Sequence, residues 1–369
     1  MDSSKYITLA ALIFLGCEPL VTKYAESEDA QYYSASEITN HVATTSPKVM
    51  TWNIRFGVGR YPWFGDSCGE RSIMTEDEVM QGLEAIRDFI KEQDPDIILV
   101  QEIDRESKRT GYIDQVQWIL DNTDLNYGAY ASMWDSQFIA SDGLGMVDVG
   151  NAILSKYEIS NAERIKLALR TDQDPLTQYF YLRRNVIRAD IDVGGSSVVA
   201  VNVHATAFAT DDTKQKHIDT FYSILEGIED SGRIFVAGGD LNSIPPGAPQ
   251  YDFCLEDRCE GEDCEVDEDG PHLEGSYFNN FDGELNLLQS FYENFTPAIS
   301  QADAITSSHT THSTWTTDSP GYSSDGEYWD RKLDYLFTNA AAGMIDGMTS
   351  QDAHQLSDHA PVSARLVLE

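Results

Sequence analysis

A chain of 369 residues with 41% hydrophobic and 11% aromatic content carries enough apolar material for one large core. Its 62 acidic residues outnumber 25 basic ones, and the net charge of -37 opposes a non-specific grip on a polyanion such as DNA. A bound cation with a local basic patch can reverse the sign at one site, so the charge excludes a broadly basic nucleic-acid binder rather than a nuclease; the plainest reading of the excess acid is a soluble, secreted or salt-adapted surface.

The chain opens with Lys5 and an apolar run from Tyr6 to Leu15, too short to span a bilayer but suited to a secretory signal. The run ends in Phe14-Leu15-Gly16-Cys17, which resembles a bacterial lipoprotein signal. This predicts residues 1–17 as a signal peptide, with Cys17 as the lipidated first residue of an exported cell-envelope protein. Plain cleavage with secretion, or a buried helix, are the alternatives. Residues 18–46 are polar with few periodic apolar positions and read as a flexible tether, leaving 47–369 as one domain.

Within that domain, Val49 to Trp52 reads as a strand ending at Asn53. Thr75 and Glu78 form a capping box, and Val79, Leu83, Ile86 and Ile90 recur at helical spacing, so the pattern predicts a helix over Glu76 to Gln93, stopped by Asp94-Pro95-Asp96. Ile97 to Gln101 is a continuous apolar strand of the kind buried on both faces. Further strands are expected at Tyr127–Trp134, Gly150–Leu154, Arg183–Ile191, Val198–His204, Arg233–Ala237, Leu333–Thr338 and Val362–Leu368, with a surface helix at Asp212–Gly227. Strands outnumber helices, which favours two packed sheets with helices outside over a doubly wound parallel sheet.

An acidic, cysteine-containing insertion is expected at about 252–275. Apart from Cys17, the chain has Cys68, Cys254, Cys259 and Cys264, an even number that favours disulfides in an exported protein and leaves three pairings open. The spacings fit structural zinc poorly. Calcium at Asp263, Asp267 and Asp269 competes with a solvated, disulfide-pinned loop, which the sequence favours. His217, His309 and His312 read as surface or loop residues.

Short polar signatures stand at the strand ends: Thr51-Trp52-Asn53-Ile54, Val100-Gln101-Glu102, Val201-Asn202-Val203-His204, Gly238-Gly239-Asp240-Leu241-Asn242, Leu333-Asp334-Tyr335 and Ser357-Asp358-His359. Together they supply the carboxylates, amides and imidazoles needed for metal-assisted attack on a phosphate ester. Glu102 follows a buried strand, where a carboxylate is costly without a cation or partner. Gly238 and Gly239 allow close backbone approach to a substrate, and extended backbone would put Asp240 and Asn242 on one face. Alone, that string would be an Asx turn ahead of Pro245-Pro246. Asn151 lies on a strand expected to line the same site.

The order of these signatures resembles the endonuclease/exonuclease/phosphatase superfamily, which takes in DNase I, AP endonucleases, sphingomyelinases, inositol-polyphosphate 5-phosphatases and deadenylases. The resemblance runs from about Lys48 to Leu368 and implies an α/β (α+β) fold, a DNase I-like four-layer sandwich of two packed mixed β-sheets flanked by helices. It implies hydrolysis of phosphodiester bonds by metal- and histidine-assisted direct attack of water. Asn53, Glu102 and Asp358 would hold a divalent ion, normally Mg2+ with Mn2+ as the alternative. Asp240 would orient or deprotonate the water, and Asn242 and His204 would contact phosphate oxygens or the leaving group. Asp334 would fix the tautomer of His359, the general base or electrostatic partner of the phosphate. The implied partner is a phosphodiester, whether nucleic acid, phospholipid headgroup or small organophosphate; the membrane enters only through the lipid anchor, and a monomer is expected. Ala237 and Ser243 around the Gly-Asp-x-Asn string depart from the 5-phosphatase pattern, and His204 departs from the AP endonuclease pattern. A sphingomyelinase-like enzyme or small-organophosphate phosphatase is the alternative, and a catalytically silent or calcium-dependent binding module is the non-enzymatic one.

Overall fold

The computed structural model describes residues 20–64, 69–139, 143–249, 252–259, 261, 263–267, 270–272, 283–305, 311–316 and 329–368. The expected signal peptide with Cys17, and Cys68, Asp269 and His309, lie outside the described residues. In chain order the strands are β1 (Ser27–Asp29), β2 (Gln31–Ser34), β3 (Lys48–Asn53), β4 (Ile97–Asp104), β5 (Tyr127–Ile139), β6 (Gly145–Ser155), β7 (Ile159–Lys166), β8 (Asn185–Asp192), β9 (Ser197–His204), β10 (Ile234–Asp240), β11 (Glu265–Asp267), β12 (Gly270–His272), β13 (Thr296–Pro297), β14 (Asp334–Thr338), β15 (Met344–Thr349) and β16 (Val362–Leu366). The α-helices are α1 (Glu76–Gln93), α2 (Gln115–Asn122), α3 (Pro175–Phe180), α4 (Thr213–Asp230), α5 (Cys254–Asp257), α6 (Gln289–Asn294) and α7 (Gln301–Ile305).

Two seven-stranded mixed sheets result, ordered β15-β16-β3-β4-β6-β5-β2 and β1-β7-β8-β9-β10-β14-β13. Each has one parallel pair at its centre, β3 with β4 and β9 with β10. Val49, Leu99 and Ile153 of the first sheet meet Ile187, Ala200, Val236 and Leu336 of the second in a buried aliphatic layer. Outside the first sheet, Ile86, Phe89, Ile90, Val116 and Ile119 of α1 and α2 cover Met50, Trp52, Ile98 and Val100. Outside the second, Ile218, Phe221 and Leu225 of α4 and Phe291 of α6 cover Val199, Val201 and Phe235. This is the expected four-layer sandwich, with helices on the two outer faces. The capping box of α1 forms as the sequence predicts, Thr75 accepting from the Glu78 N–H and Glu78 accepting from the Thr75 N–H.

The segment expected to be a flexible tether is instead partly woven into both sheets. β1 pairs antiparallel with β7 at the edge of one sheet, and β2 with β5 at the edge of the other. Buried Ala30 is the single residue between them, and its N–H donates to the Ala162 carbonyl. Strands this short, on exposed edges, need no apolar run, so hydrophobic periodicity does not reveal them. Leu20 adds a bridge to Ser136 and is buried. His217, expected at the surface, is buried on α4: its Nδ1 accepts from the Thr206 N–H at 3.1 Å, and Nε2 donates to the Ala168 carbonyl at 2.7 Å.

In the acidic insertion, Cys254 is joined to Cys264 and Cys259 is also disulfide-bonded. If residues 20–34 staple the sheets, deleting them exposes one edge of each. The truncated protein should then unfold roughly 3 °C lower by differential scanning fluorimetry, corresponding to about 2 kcal/mol for a domain of this size; an unchanged midpoint would mean these strands contribute nothing to stability.

Candidate active site

Every signature residue sits at one end of the sandwich because each lies at, or just beyond, the terminus of a central strand. Asn53 ends β3, Glu102 lies near the end of β4, His204 ends β9, Asp240 ends β10, Asp334 begins the antiparallel β14, and His359 precedes β16. The two sheets are locked in register just below. Gln101 donates to Asn202 Oδ1 at 2.6 Å and to Thr51 Oγ1 at 3.0 Å, and Asn202 returns two bonds to the Val100 and Ala152 carbonyls, each 2.8 Å. Asn151, expected to line the site, serves the same purpose: it is buried and donates to the carbonyl and side-chain oxygens of Asn185 across the sheets.

Neighbouring residues of the motifs lace the strand ends together. The Trp52 indole donates to the His359 carbonyl at 2.9 Å, and the Ser357 hydroxyl donates to the Asn53 carbonyl at 2.7 Å. The Tyr335 hydroxyl bonds the Ser243 carbonyl at 2.7 Å, fixing the turn after Asp240. Gly238 and Gly239 have a different purpose from the one expected. A Cβ on Gly238 would lie 1.9 Å from the Tyr335 carbonyl oxygen of β14, and one on Gly239 1.9 Å from the Val203 carbonyl oxygen of β9. The glycines therefore admit neighbouring strands rather than substrate.

Three site residues have left-handed backbone: Arg55 (φ 46°), Glu102 (φ 54°) and Asn242 (φ 47°). Such conformations cost about 1–3 kcal/mol each and persist where the surroundings over-determine them. At Glu102 the strain coincides with a register shift between β4 and β6, and the carboxylate lies 3.1 Å from the Asn53 amide and 3.9 Å from His204 Nε2. At Asn242 the extended backbone expected from Asp240 onward is broken. Its N–H donates to Asp240 Oδ1 at 3.0 Å in an Asx turn, and its amide donates to the Ala205 carbonyl. The turn and the site are one structure here.

Asn53 is the junction of the polar cluster. Its amide donates to Glu102 Oε1 at 3.1 Å and to Asp240 Oδ2 at 3.2 Å, spanning the two sheets. Its Oδ1 accepts from the Arg55 N–H at 3.0 Å. In this arrangement Asn53 orients two carboxylates and offers its oxygen to the backbone, which leaves Glu102 and Asp358 as the oxygen donors for a cation. Desolvation, with Asp358 nearby as the next cause, raises the Glu102 carboxyl above its usual range, although 27% of its side chain opens to the cleft. Burial also opposes ionisation of Asp358, but His359, Arg55 and Arg60 outweigh it and hold that carboxyl low. Two carboxylates that crowd one another suit a hard divalent cation, which would relieve the repulsion.

The two histidines are driven to opposite charge states. Burial would lower His359, but Asp334 and Asp240 on either side overcome it and raise it to about 10. Its Nδ1 donates to Asp334 Oδ2 at 2.8 Å, and Nε2 lies 3.7 Å from Asp240 Oδ2. One ligand atom each from Asp240, Asp334 and His359 lies within 4.8 Å of the others, a grouping that could itself hold an ion. His204 is pushed well down, by burial first and then by Arg184, so it is neutral; its Nε2 lies 3.3 Å from Asp240 Oδ2. Burial raises the Asp240 carboxyl, with the neighbouring Asp334 charge adding to the effect.

Sequence reasoning missed Arg184. It is 7% exposed, and among the described residues no carboxylate lies within ion-pair distance. One nitrogen donates to the His204 carbonyl at 3.3 Å, while Nε has no partner. Nearby, burial would raise the Tyr181 hydroxyl, but Arg184 and Arg170 bring it below its usual range. A buried, unbalanced cation beside His204 is an electrostatic invitation to an anion.

The family described as Endonuclease/Exonuclease/phosphatase matches over residues 50–359. Among solved structures, an endonuclease/exonuclease/phosphatase from Beutenbergia cavernae DSM 12333 is similar with a TM-score of 0.56 at 17% identity, covering 88% of this chain and 72% of that one. A family protein from Leptotrichia buccalis C-1013-b gives 0.51 at 14% identity, with 87% and 99% covered. The human Nocturnin catalytic domain, solved with a bound sulfate anion, gives 0.50 at 13% identity, with 91% and 96% covered. No curated protein matches the chain in sequence. At these identities the structural likeness establishes the fold.

The elevated His359 makes a prediction about stability. A group held above its unfolded value of about 6.5 stabilises fully below that pH and loses its contribution as pH rises through the folded value. Chelator-treated protein should therefore weaken between pH 6.5 and about 10, and His359→Gln should flatten that decline. Urea midpoints across the range measure it; parallel pH profiles for the two proteins would contradict the charge state assigned to His359.

Proposed function

The chain belongs to the endonuclease/exonuclease/phosphatase family, and from that premise we propose that it hydrolyses a phosphodiester by direct attack of water, assisted by a divalent cation. The observation that carries this reading is the convergence of Asn53, Glu102, His204, Asp240, Asp334 and His359 in one cluster, linked by contacts of 2.8 to 3.9 Å. Glu102 and Asp358 are the residues that would hold the cation. Few, hard oxygen donors suit magnesium, with manganese as the substitute, and the ion would supply charge neutralisation at the phosphate.

The remaining steps belong to the side chains. Arg184 draws the phosphate toward His204. His359, cationic between Asp334 and Asp240, serves as a proton donor and electrostatic partner of the phosphoryl oxygens rather than as a base. Asp240, whose proton affinity is raised, orients and receives a proton from the attacking water. Neutral His204 donates a hydrogen bond to a phosphate oxygen or the leaving oxygen, and Asn242 holds the turn that presents Asp240. The net charge of -37 favours small phosphodiesters or headgroups over long nucleic acids.

Export is part of the proposal. Phe14-Leu15-Gly16-Cys17 supports it, and so does the Cys254–Cys264 disulfide, since such bonds persist in oxidising compartments. Mass spectrometry of the native amino terminus should find acyl-modified Cys17; an unmodified start elsewhere removes the lipoprotein reading.

With bis-p-nitrophenyl phosphate as substrate, Glu102→Gln and His359→Ala should each lower kcat by roughly 100- to 10,000-fold in folded protein. Magnesium should raise the melting temperature of the wild type and not that of Glu102→Gln. Near-normal turnover in both variants would overturn the assignment. Arg184→Gln should mainly raise KM, by about tenfold, if its charge binds the phosphate equally in ground and transition states.

A further inference from the structure

Beneath Asp334 lies an ion network that the reaction does not use. Arg331 is buried, donating two bonds to Asp257 at 3.0 and 2.8 Å and two to Asp330, each 2.7 Å. Its guanidinium is sandwiched between two rings, 3.7 Å from the Phe253 centroid and 4.3 Å from that of Trp315. Asp257 and Phe253 belong to the segment around α5, the same segment that carries the Cys254–Cys264 disulfide.

On its other side, Arg331 controls the strip 314–316, which runs between the two halves of the histidine–carboxylate pair. The Thr314 and Trp315 N–H groups both donate to the Arg331 carbonyl, at 2.8 and 3.0 Å. Thr314 Oγ1 accepts from the Leu333 and Asp334 N–H groups, at 2.9 and 3.0 Å, which sets the backbone of Asp334. The Thr314 carbonyl accepts from the Ala360 N–H, and the Thr316 N–H donates to the Asp358 carbonyl, which together set the backbone around His359. Trp315 bridges both Arg331 and His359. The Leu333 carbonyl also accepts from the Leu241 N–H, between Asp240 and Asn242. One buried guanidinium thus stands between the disulfide-pinned segment and the registers of Asp334, Asp358, His359 and Asp240.

We propose that Asp257, Arg331 and Phe253 are positioning residues for the His359–Asp334 pair, acting through the 314–316 strip, so that the disulfide-pinned segment sets the geometry of the active site. Arg331 and Asp257 are buried, and among the described residues both carboxyl oxygens of Asp257 accept from the Arg331 guanidinium. The network's influence is on alignment alone: a small displacement of a catalytic group costs rate out of proportion to its cost in stability. A neutral, near-isosteric Asp257→Asn weakens the fork while keeping its shape.

The inference rests on the proposed phosphoesterase reading for its kinetic arm, but its spectroscopic arm does not need activity. In Asp257→Asn, kcat on bis-p-nitrophenyl phosphate should fall roughly tenfold or more with KM held within about twofold, since alignment rather than binding is lost. The low-field proton resonance of the His359 Nδ1–H bonded to Asp334 should shift or broaden. Arg331→Lys, which keeps the charge without the fork, should show the same two changes. If Asp257→Asn does not fold, Phe253→Leu removes only one ring from the sandwich and the same readouts decide. Wild-type kcat with an unchanged His359 resonance in folded variants overturns the proposal; so does a rise in KM alone, which would place these residues against the substrate. An inactive wild type refutes the phosphoesterase reading, whereas the resonance still tests the coupling.

Discussion

The hydrogen bonds that Gln101 and Asn202 exchange between the sheets are the constraint on which everything else depends. Two stacked sheets with aliphatic inner faces have no intrinsic register, because apolar contact is non-directional. Amide groups buried in that layer do have one: each must find its partners or forfeit its desolvation cost. Gln101 reaches Thr51 within its own sheet and Asn202 in the other, and Asn202 answers with carbonyls on β4 and β6. One residue beyond Gln101 is Glu102, and two beyond Asn202 is His204. The lock therefore holds the polar side chains of the candidate site within 3.9 Å of their neighbours, and the rim is as well registered as the core beneath it.

Above the lock, the site is an arrangement of charges that do not balance pairwise. Glu102 and Asp358 repel one another, Asp240 is shared between two imidazoles, and Arg184 has no acidic partner among the described residues. Such frustration is expected where a cation and an anion complete the set. It also separates the histidines. Asp334 and Asp240 push the proton affinity of His359 up, while burial and then Arg184 push that of His204 down, so two identical side chains that share Asp240 are shifted in opposite directions by their neighbours alone.

Most of the sandwich was legible because apolar runs and turn residues mark the inner strands directly. Ile97 to Gln101, Val198 to His204 and the helix from Glu76 to Gln93 have the length and period of buried elements, and their polar final residues point to a shared rim. What the pattern could not show depends on backbone irregularity or on pairing with distant segments. The bulge at Glu102, the left-handed Arg55 and the Asx turn at Asn242 leave no periodic trace. Arg183 and Arg184 are adjacent and chemically equal, and only the fold makes one of them the buried charge at the site. His217 sits in a helix that reads as polar, yet its ring satisfies buried backbone groups. The glycines before Asp240 were recognised, but their reason lies in the carbonyls of β9 and β14, which no local string reveals.

The crossing at Ala30 has a consequence for how the molecule is completed. Ser27 pairs with Ile165 and Gln31 with Tyr130, so the two contacts cannot form until the 137 and 98 residues that intervene are in place. Until then β5 and β7 each present a row of unsatisfied amides and carbonyls, the sort of border on which a second nascent chain can grow a strand. Closing both borders with a single short segment couples them: the long β7 and β5 rims are replaced together by the three-residue β1 and the four-residue β2. A half-made copy therefore presents the longer borders, and in the finished one seven residues shorten both.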